Sequence, residues 1–238
     1  MKRNFISVTW TPGVDIGDAQ TLGRTIEDIY SLLRPHFGVP DQFDPLPAVR
    51  IFGAWSIPAV PQEAAYSNIE WYVRRSLAND EQHILASRYL ETVVLEPWQG
   101  TTPHFDLALT EMALLDDLTE EAAPSEALGF CQPGLVSLIS TALFGGIENP
   151  THRKLALQHV FAHYVGRMFD VPRITRSGDV EERHGRLYCT NPCAIRLTHT
   201  PTQALAFAEE QVAEGAVYCD ACQRDIAAQI TGFHYGLN

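Results

Sequence analysis

Four of the chain's five cysteines, Cys189, Cys193, Cys219 and Cys222, fall in two close pairs towards the C-terminal end. Two sulfurs a few residues apart on a turn fill two corners of a tetrahedron with little loss of chain entropy. Two such pairs are the donor set of a structural zinc site. Cys219-Asp-Ala-Cys222 has the C-x2-C spacing, and Cys189-Thr-Asn-Pro-Cys193 is one residue wider. Two other readings stand beside zinc. One is four metal-free buried thiols. The other is a redox role for Cys219-x-x-Cys222, which calls for a helix start after a strand in a thioredoxin-like unit, and no second feature of the sequence supplies it. Cys131, in ALGFCQPGLVSL, reads as a small buried hydrophobe.

The second candidate lies upstream, in Gln158-His159-Val160-Phe-Ala-His163-Tyr-Val-Gly166. Side chains at i and i+4 share one helix face, so His159 and His163 have the spacing by which two imidazoles bind one metal ion. In H-E-x-x-H peptidases the residue after the first histidine is the glutamate that acts as general base on zinc-bound water. Here it is Val160, which can neither accept a proton nor orient water, and no residue of the chain is assigned a catalytic role. Two satisfied, partly buried histidines explain the spacing equally well. Further ligands for such a second metal are sought in His184 and Tyr188, or in Asp170, Asp179, Glu181 and Glu182, each of which also reads as an ordinary loop residue. His152 is at the wrong offset to share an ion with His159.

These residues need elements to position them. Asn149-Pro150 opens a helix with a capping side chain and a proline at the first helical position, and the helix is expected to reach about Phe169. Residues 170–188 are polar and irregular and read as an inserted loop. Thr200-Pro201 opens another helix to about Glu214, and a last helix is expected from about Asp220 to Ile230. Upstream, residues 4–10 read as a strand. A helix capped by Asp15 or Asp18 runs to about Leu33, its apolar residues Leu22, Ile26, Ile29, Leu32 and Leu33 recurring at helical spacing. A loop rich in Pro and Asp follows over 34–47, a strand over 48–55, a loop over 56–66 and a short helix over 68–77. Residues 83–97 are ambiguous, with the TVVLE end favouring strand. Residues 105–118 carry strand-like apolar runs, and 127–144 read as two strands around Pro133-Gly134.

The histidine and cysteine motifs together resemble the archaemetzincins, a family whose pattern is H-E-x-x-H-x-x-G-x-x-H-C, then C-x-M, then C-x-x-C. His159, His163 and Gly166 match its start, Cys189 and Cys193 resemble its first cysteine pair, and Cys219 and Cys222 its last. Arg153 and Leu155 resemble the lead-in to the histidines. LDDL at 115–118 and the segment 127–141 resemble its edge and substrate strands. The resemblance covers roughly residues 4–230 and is specific over 150–222. It implies an α/β (α+β) fold: a metzincin-like mixed twisted sheet packed with helices, plus a small C-terminal lobe clamped by a four-cysteine zinc site. It departs from the pattern at Val160 and at the third histidine, whose place falls on Phe169 without a gap or on Tyr188 if the loop is an insertion. Ile195 stands where the family has methionine, and the first cysteine pair is one residue closer.

We therefore expect a single domain over 1–238, with a sheet-and-helix part (1–149) and a part carrying the motif helix, inserted loop and zinc lobe (150–238). Losing a general base typically costs about 10²–10⁴-fold in rate, and a lost ligand weakens the metal as well. The expected function is a proteolytically impaired peptidase relative that keeps one structural Zn2+ and binds a peptide or protein. An active zinc hydrolase with rearranged ligands is the first alternative. A zinc-stabilised interaction module, with Trp10, Trp55, Trp71 and Trp98 as partner surface or as core, is the second.

Composition bounds the partners. Apolar residues are 45% of the 238, enough for a sizeable core, and the net charge of −12 argues against nucleic acid or an anionic membrane. The N-terminal apolar run after Lys2 and Arg3 is broken by Thr9, Pro12 and Gly13, which disfavours a signal peptide. No window of 18 apolar residues reads as a membrane span. A cytoplasmic location is expected.

Overall fold

Apolar residues on alternate positions of successive segments build a central sheet in the computed structural model, which describes residues 3, 5–37, 45–118 and 125–235. In chain order the elements are β1 (Phe5–Trp10), α1 (Ile16–Leu33), β2 (Ala48–Gly53), α2 (Ile69–Ser76), β3 (His83–Leu85), α3 (Ala86–Val94), α4 (Pro97–Thr101), β4 (Phe105–Thr110) and β5 (Ala113–Asp116). Then come β6 (Ser125–Ala127), β7 (Gly129–Gln132), β8 (Val136–Ser140), α5 (Pro150–Met168), β9 (Val180–Arg183), β10 (Arg186–Cys189), α6 (Pro201–Glu214) and α7 (Asp220–Tyr235). The main sheet has the order β2-β1-β4-β8-β7. Its pairs are parallel except β7 with β8, the hairpin around Pro133-Gly134.

The side-chain period of two sorts the sheet into two faces. Ile6, Val8, Leu107, Leu109 and Ile139 meet α1, α5 and the cysteine region in one core. Ala108, Val136 and Leu138 meet Tyr72, Val73, Tyr89 and Val93 of α2 and α3 in a second. A small sheet of order β3-β5-β6 flanks this second core.

Caps fix the helices that carry the candidate site. Asn149 Oδ1 accepts from the amides of Thr151 (2.9 Å) and His152 (3.2 Å) at the start of α5. Asp15, not Asp18, caps α1, accepting from Gly17 N. Asp18 instead forms a two-pronged pair with Arg153, at 2.5 and 2.6 Å, which locks α5 onto α1. Thr200 caps α6, which ends at Gly215 in the left-handed region (φ 73°).

Three expectations need correction. The TVVLE stretch is not strand: Thr92–Val94 is the end of helix α3, where Tyr89 and Val93 are spaced to face the second core together, so burial selects helix over local β propensity. Residues 170–188 are not irregular throughout; Val180–Arg183 and Arg186–Cys189 form an antiparallel hairpin turning at His184-Gly185, both with positive φ. The last helix continues to Tyr235 rather than stopping near Ile230. Half of the loop read over 34–47, residues 38–44, lies outside the described residues, as do Lys2 and Asn4.

Candidate metal centres

Hairpin β9-β10 delivers Cys189 at its end, the following turn brings Cys193 back beneath it, and Cys219 and Cys222 sit at the start of α7. Backbone bonds set the frame: Cys189 N to Ile195 O (3.1 Å), Ala194 N to Val217 O (2.9 Å) and Gln223 N to Cys219 O (3.0 Å). The four sulfurs lie within 4.8 Å of one another, and none is in a disulfide. Sulfurs on a zinc ion at about 2.3 Å stand about 3.8 Å apart at tetrahedral corners. The Cys189 and Cys219 sulfurs are 3.7 Å apart. The donor set thus fits a structural zinc ion in number, type and spacing.

Four thiols this close cannot all ionise without a cation. Hydrogen bonding from Cys193 brings Cys189 down to about 7, and bonds from Cys189 and its neighbours hold Cys219 lower still. Cys193 and Cys222, as the donors, are pushed up. Arg176 supplies part of the missing charge: its Nη1 donates to Cys222 Sγ (3.2 Å) and its Nη2 to Cys189 Sγ (3.5 Å). Asp225 lies 3.5 Å from the same guanidinium and Asn191 donates to Cys219 Sγ at 3.6 Å. Sequence reasoning missed Arg176, because nothing in the spacing of a loop arginine says which sulfur it will reach. Cys131 is buried away from the cluster, where desolvation lifts it to about 11.

The histidine helix is placed differently. His159 is 1% exposed; its Nε2 is 3.0 Å from Thr198 Oγ1 and its Nδ1 3.3 Å from Gln211 Oε1, so both ring nitrogens have protein partners. His163 Nδ1 donates to Ala194 O at 2.8 Å, tying α5 to the cysteine turn. Burial lowers their pKa values to about 4 and about 3 respectively. His159 borders a hollow with Gln158, Ala208 and Gln211, whereas His163 borders a separate cavity of about 130 Å³ with Tyr164, Arg167, His184 and Tyr188. The Tyr188 ring stacks on His163 at 6.3 Å and 15°, with the Arg167 guanidinium 4.8 Å from its centre. Among the described residues, no three of His159, His163, His184 and the loop carboxylates bring ligand atoms within 4.8 Å of one another. Val160 is 1% exposed and packs in the first core. Gly166 lies in close approach, since a Cβ there would stand 2.3 Å from Ile195 Cδ1 and would force that side chain to shift.

A third group was not anticipated: Glu96, His104 and Asp106, whose ligand atoms also lie within 4.8 Å of one another. Glu96 precedes α4, His104 precedes β4, and Asp106 lies in β4. Burial, reinforced by the Asp106 charge, raises the Glu96 carboxyl to about 8. His104-Phe-Asp106 is the alternation of a strand with two polar residues on one face, a signal hidden by the apolar run that follows. Of the four tryptophans, Trp55 and Trp98 meet edge to face above this group at 6.3 Å, Trp71 packs on Tyr66 at 4.5 Å, and Trp10 lies against the first core.

No family model matches the chain, and no curated protein matches it by sequence. Solved structures do match in fold, two of them as follows. One is archaemetzincin from Methanopyrus kandleri, with TM-score 0.53, 12% identity, and 96% of each chain covered. The other is described as a zinc-dependent peptidase from Methanocorpusculum labreanum, with TM-score 0.55 and 12% identity, covering 93% of this chain and 99% of that one. The fold is archaemetzincin-like. No described helix is long and apolar enough to cross a membrane.

Proposed function

We propose that this protein is a peptidase-like zinc protein impaired in proteolysis, which keeps one structural zinc ion on Cys189, Cys193, Cys219 and Cys222 and uses the cavity beside His163 to hold a peptide or protein segment. The observation that carries this reading is the pairing of Val160 with its neighbours. The residue after the first motif histidine is an apolar core residue, and both nitrogens of His159 are engaged by Thr198 and Gln211. The helix spacing survives while the groups that would activate water on it do not.

The zinc would act as a clamp. It would join the end of hairpin β9-β10 to the first turn of α7 and so hold the turn that receives His163. The small sheet β3-β5-β6 borders the His163 cavity through Asp116, Ser125 and Glu126, leaving an edge beside which an extended segment could lie.

Hydrolysis of a broad peptide mixture by the zinc-loaded chain, compared with its His163→Ala variant, tests the proposal. Equal, background-level hydrolysis is expected. Turnover that chelation abolishes and His163→Ala removes would establish instead an active hydrolase with rearranged ligands. That second reading is favoured by one observation, that His163, His184 and Tyr188 border one cavity.

A further inference from the structure

On the sheet face opposite α5, a cavity of about 340 Å³ opens between the sheet and helices α2 to α4. Its walls are aromatic, with Phe5, Trp55, Tyr72, Tyr89 and Trp98 among them, and its floor carries Glu96, His104 and Asp106. Glu96 is 5% exposed and His104 3%, so these polar groups are built into the fold.

The hydrogen bonds around the three side chains all pull from outside. Tyr72 donates to Glu96 Oε2 at 3.1 Å, and Gln99 Nε2 donates to Asp106 Oδ2 at 2.7 Å. His104 Nδ1 is 2.8 Å from Thr102 O. A carbonyl only accepts, so Nδ1 carries the hydrogen and a neutral ring presents its lone pair at Nε2. Gln99 is itself held by Arg3 Nη1 at 2.9 Å, and the His104 ring is stacked flat on Phe5 at 4.7 Å. Each side chain is thus fixed through its outer atom, and the inner atoms converge. His104 Nε2 is 3.3 Å from Asp106 Oδ1 and 3.7 Å from Glu96 Oε1. Glu96 Oε1 is buried and has no hydrogen-bond partner among the described residues.

Two carboxylate oxygens facing an imidazole lone pair in a buried site repel one another unless a proton or a metal ion sits between them. Donors bound to one divalent ion at about 2.1 Å stand about 3.0 Å apart at octahedral corners and about 3.4 Å at tetrahedral ones. The two separations from His104 Nε2 need only tenths of an ångström of adjustment. An imidazole whose outer N–H is held by a backbone carbonyl, with carboxylates held by Tyr and Gln, is the outer support that metal ligands receive.

We propose that Glu96 Oε1, His104 Nε2 and Asp106 Oδ1 form a second metal site that takes one divalent first-row transition-metal ion, its open coordination positions facing the aromatic cavity. One imidazole and two carboxylates suit zinc, manganese or iron(II) rather than a soft ion. Three protein ligands with an open position mark a site that admits a further oxygen-donor ligand, unlike the closed cysteine centre. The site is independent of the His159–His163 helix and of the reading proposed for it.

The test is zinc stoichiometry of the full chain, loaded with excess zinc and desalted, with the thermal midpoint read alongside. About two ions per chain are expected in the unaltered protein and in His163→Ala, and about one in Glu96→Gln and His104→Gln. Cooperative unfolding and the retained cysteine-bound ion show that these variants fold. Zinc-edge anomalous scattering from crystals of the unaltered, zinc-loaded protein needs no variant; a peak within bonding distance of His104 Nε2 is expected. A single ion at the cysteines, or a second that follows His163, would overturn the proposal and leave a proton on His104 as the charge between the carboxylates.

Discussion

Arg176 places Nη1 3.2 Å from Cys222 Sγ, and the same guanidinium reaches Cys189 from its other arm. It therefore bridges the two halves of the cysteine cluster from outside. Four thiolates around one zinc carry a net charge of −2, and a half-buried guanidinium donating to two of the sulfurs offsets half of it. Arg176→Ala is expected to weaken zinc binding by about 10–100-fold, the usual cost of losing an outer-shell partner. Arg176→Lys should recover only part of this, because an ammonium cannot span both sulfurs. Competition with a chromophoric chelator measures both; unchanged affinity in Arg176→Ala would show the arginine to be a bystander.

Zinc removal should act on stability through one lobe. Cys219→Ser or chelation takes away the metal that would join the turn at 189–193 to the start of α7, so amide exchange should rise over 186–196 and 217–226. Exchange in β1 and β4 should change far less. Cys131→Ser is the control, since Cys131 is buried remote from the cluster and its loss should leave zinc content at wild-type level.

The cysteine motif was legible because its chemistry lies in local spacing: two short pairs read as one donor set wherever the fold puts them. The caps at Asn149-Pro150 and Thr200-Pro201 were legible for the same reason. What failed was non-local. The sequence could not say that Thr198 and Gln211 would occupy both nitrogens of His159. Nor could it say that Glu96 and Asp106, from different elements, would meet at His104. The TVVLE stretch misled because β-branched residues favour strand until a second core claims one helical face.

Gly166 and Ile195 give a packing prediction. A methyl at 166 would stand 2.3 Å from Ile195 Cδ1 and 3.3 Å from the Tyr218 ring, both fully buried. Alanine gains about 1 kcal/mol of helix propensity over glycine, but overpacking a core costs about 1–3 kcal/mol. Gly166→Ala should therefore be neutral to destabilising by about 2 kcal/mol. Adding Ile195→Val, which removes the offending Cδ1, should recover most of any loss in urea unfolding. A double variant no better than the single one would place the strain elsewhere.

Stability should fall in acid through His159 and His163. Their folded values, about 4 and about 3, lie below the ordinary 6.5. As pH drops below 6.5 the unfolded chain binds protons that the folded chain refuses, so folding stability decreases from there down to about 4 through His159 and about 3 through His163. Each histidine contributes a slope of up to about 1.4 kcal/mol per pH unit. His163→Gln should flatten the loss between pH 6.5 and 4.5 relative to the parent, whatever its stability at pH 7. Parallel curves for variant and parent would show that His163 is not buried neutral.

Restoring the missing general base should not restore chemistry. Val160 is 1% exposed, packs in the first core and does not border the His163 cavity. A glutamate there has no solvated route for its charge, so the carboxyl either stays protonated or disrupts the packing. Both outcomes deny it the role of base, and the larger side chain adds overpacking. Val160→Glu is expected to lose about 3 kcal/mol or more and to remain at background in peptide hydrolysis. Gain of zinc-dependent turnover in Val160→Glu would mean that the helix turns that position towards a metal-bearing cleft, and the impaired reading would then reduce to one substituted residue.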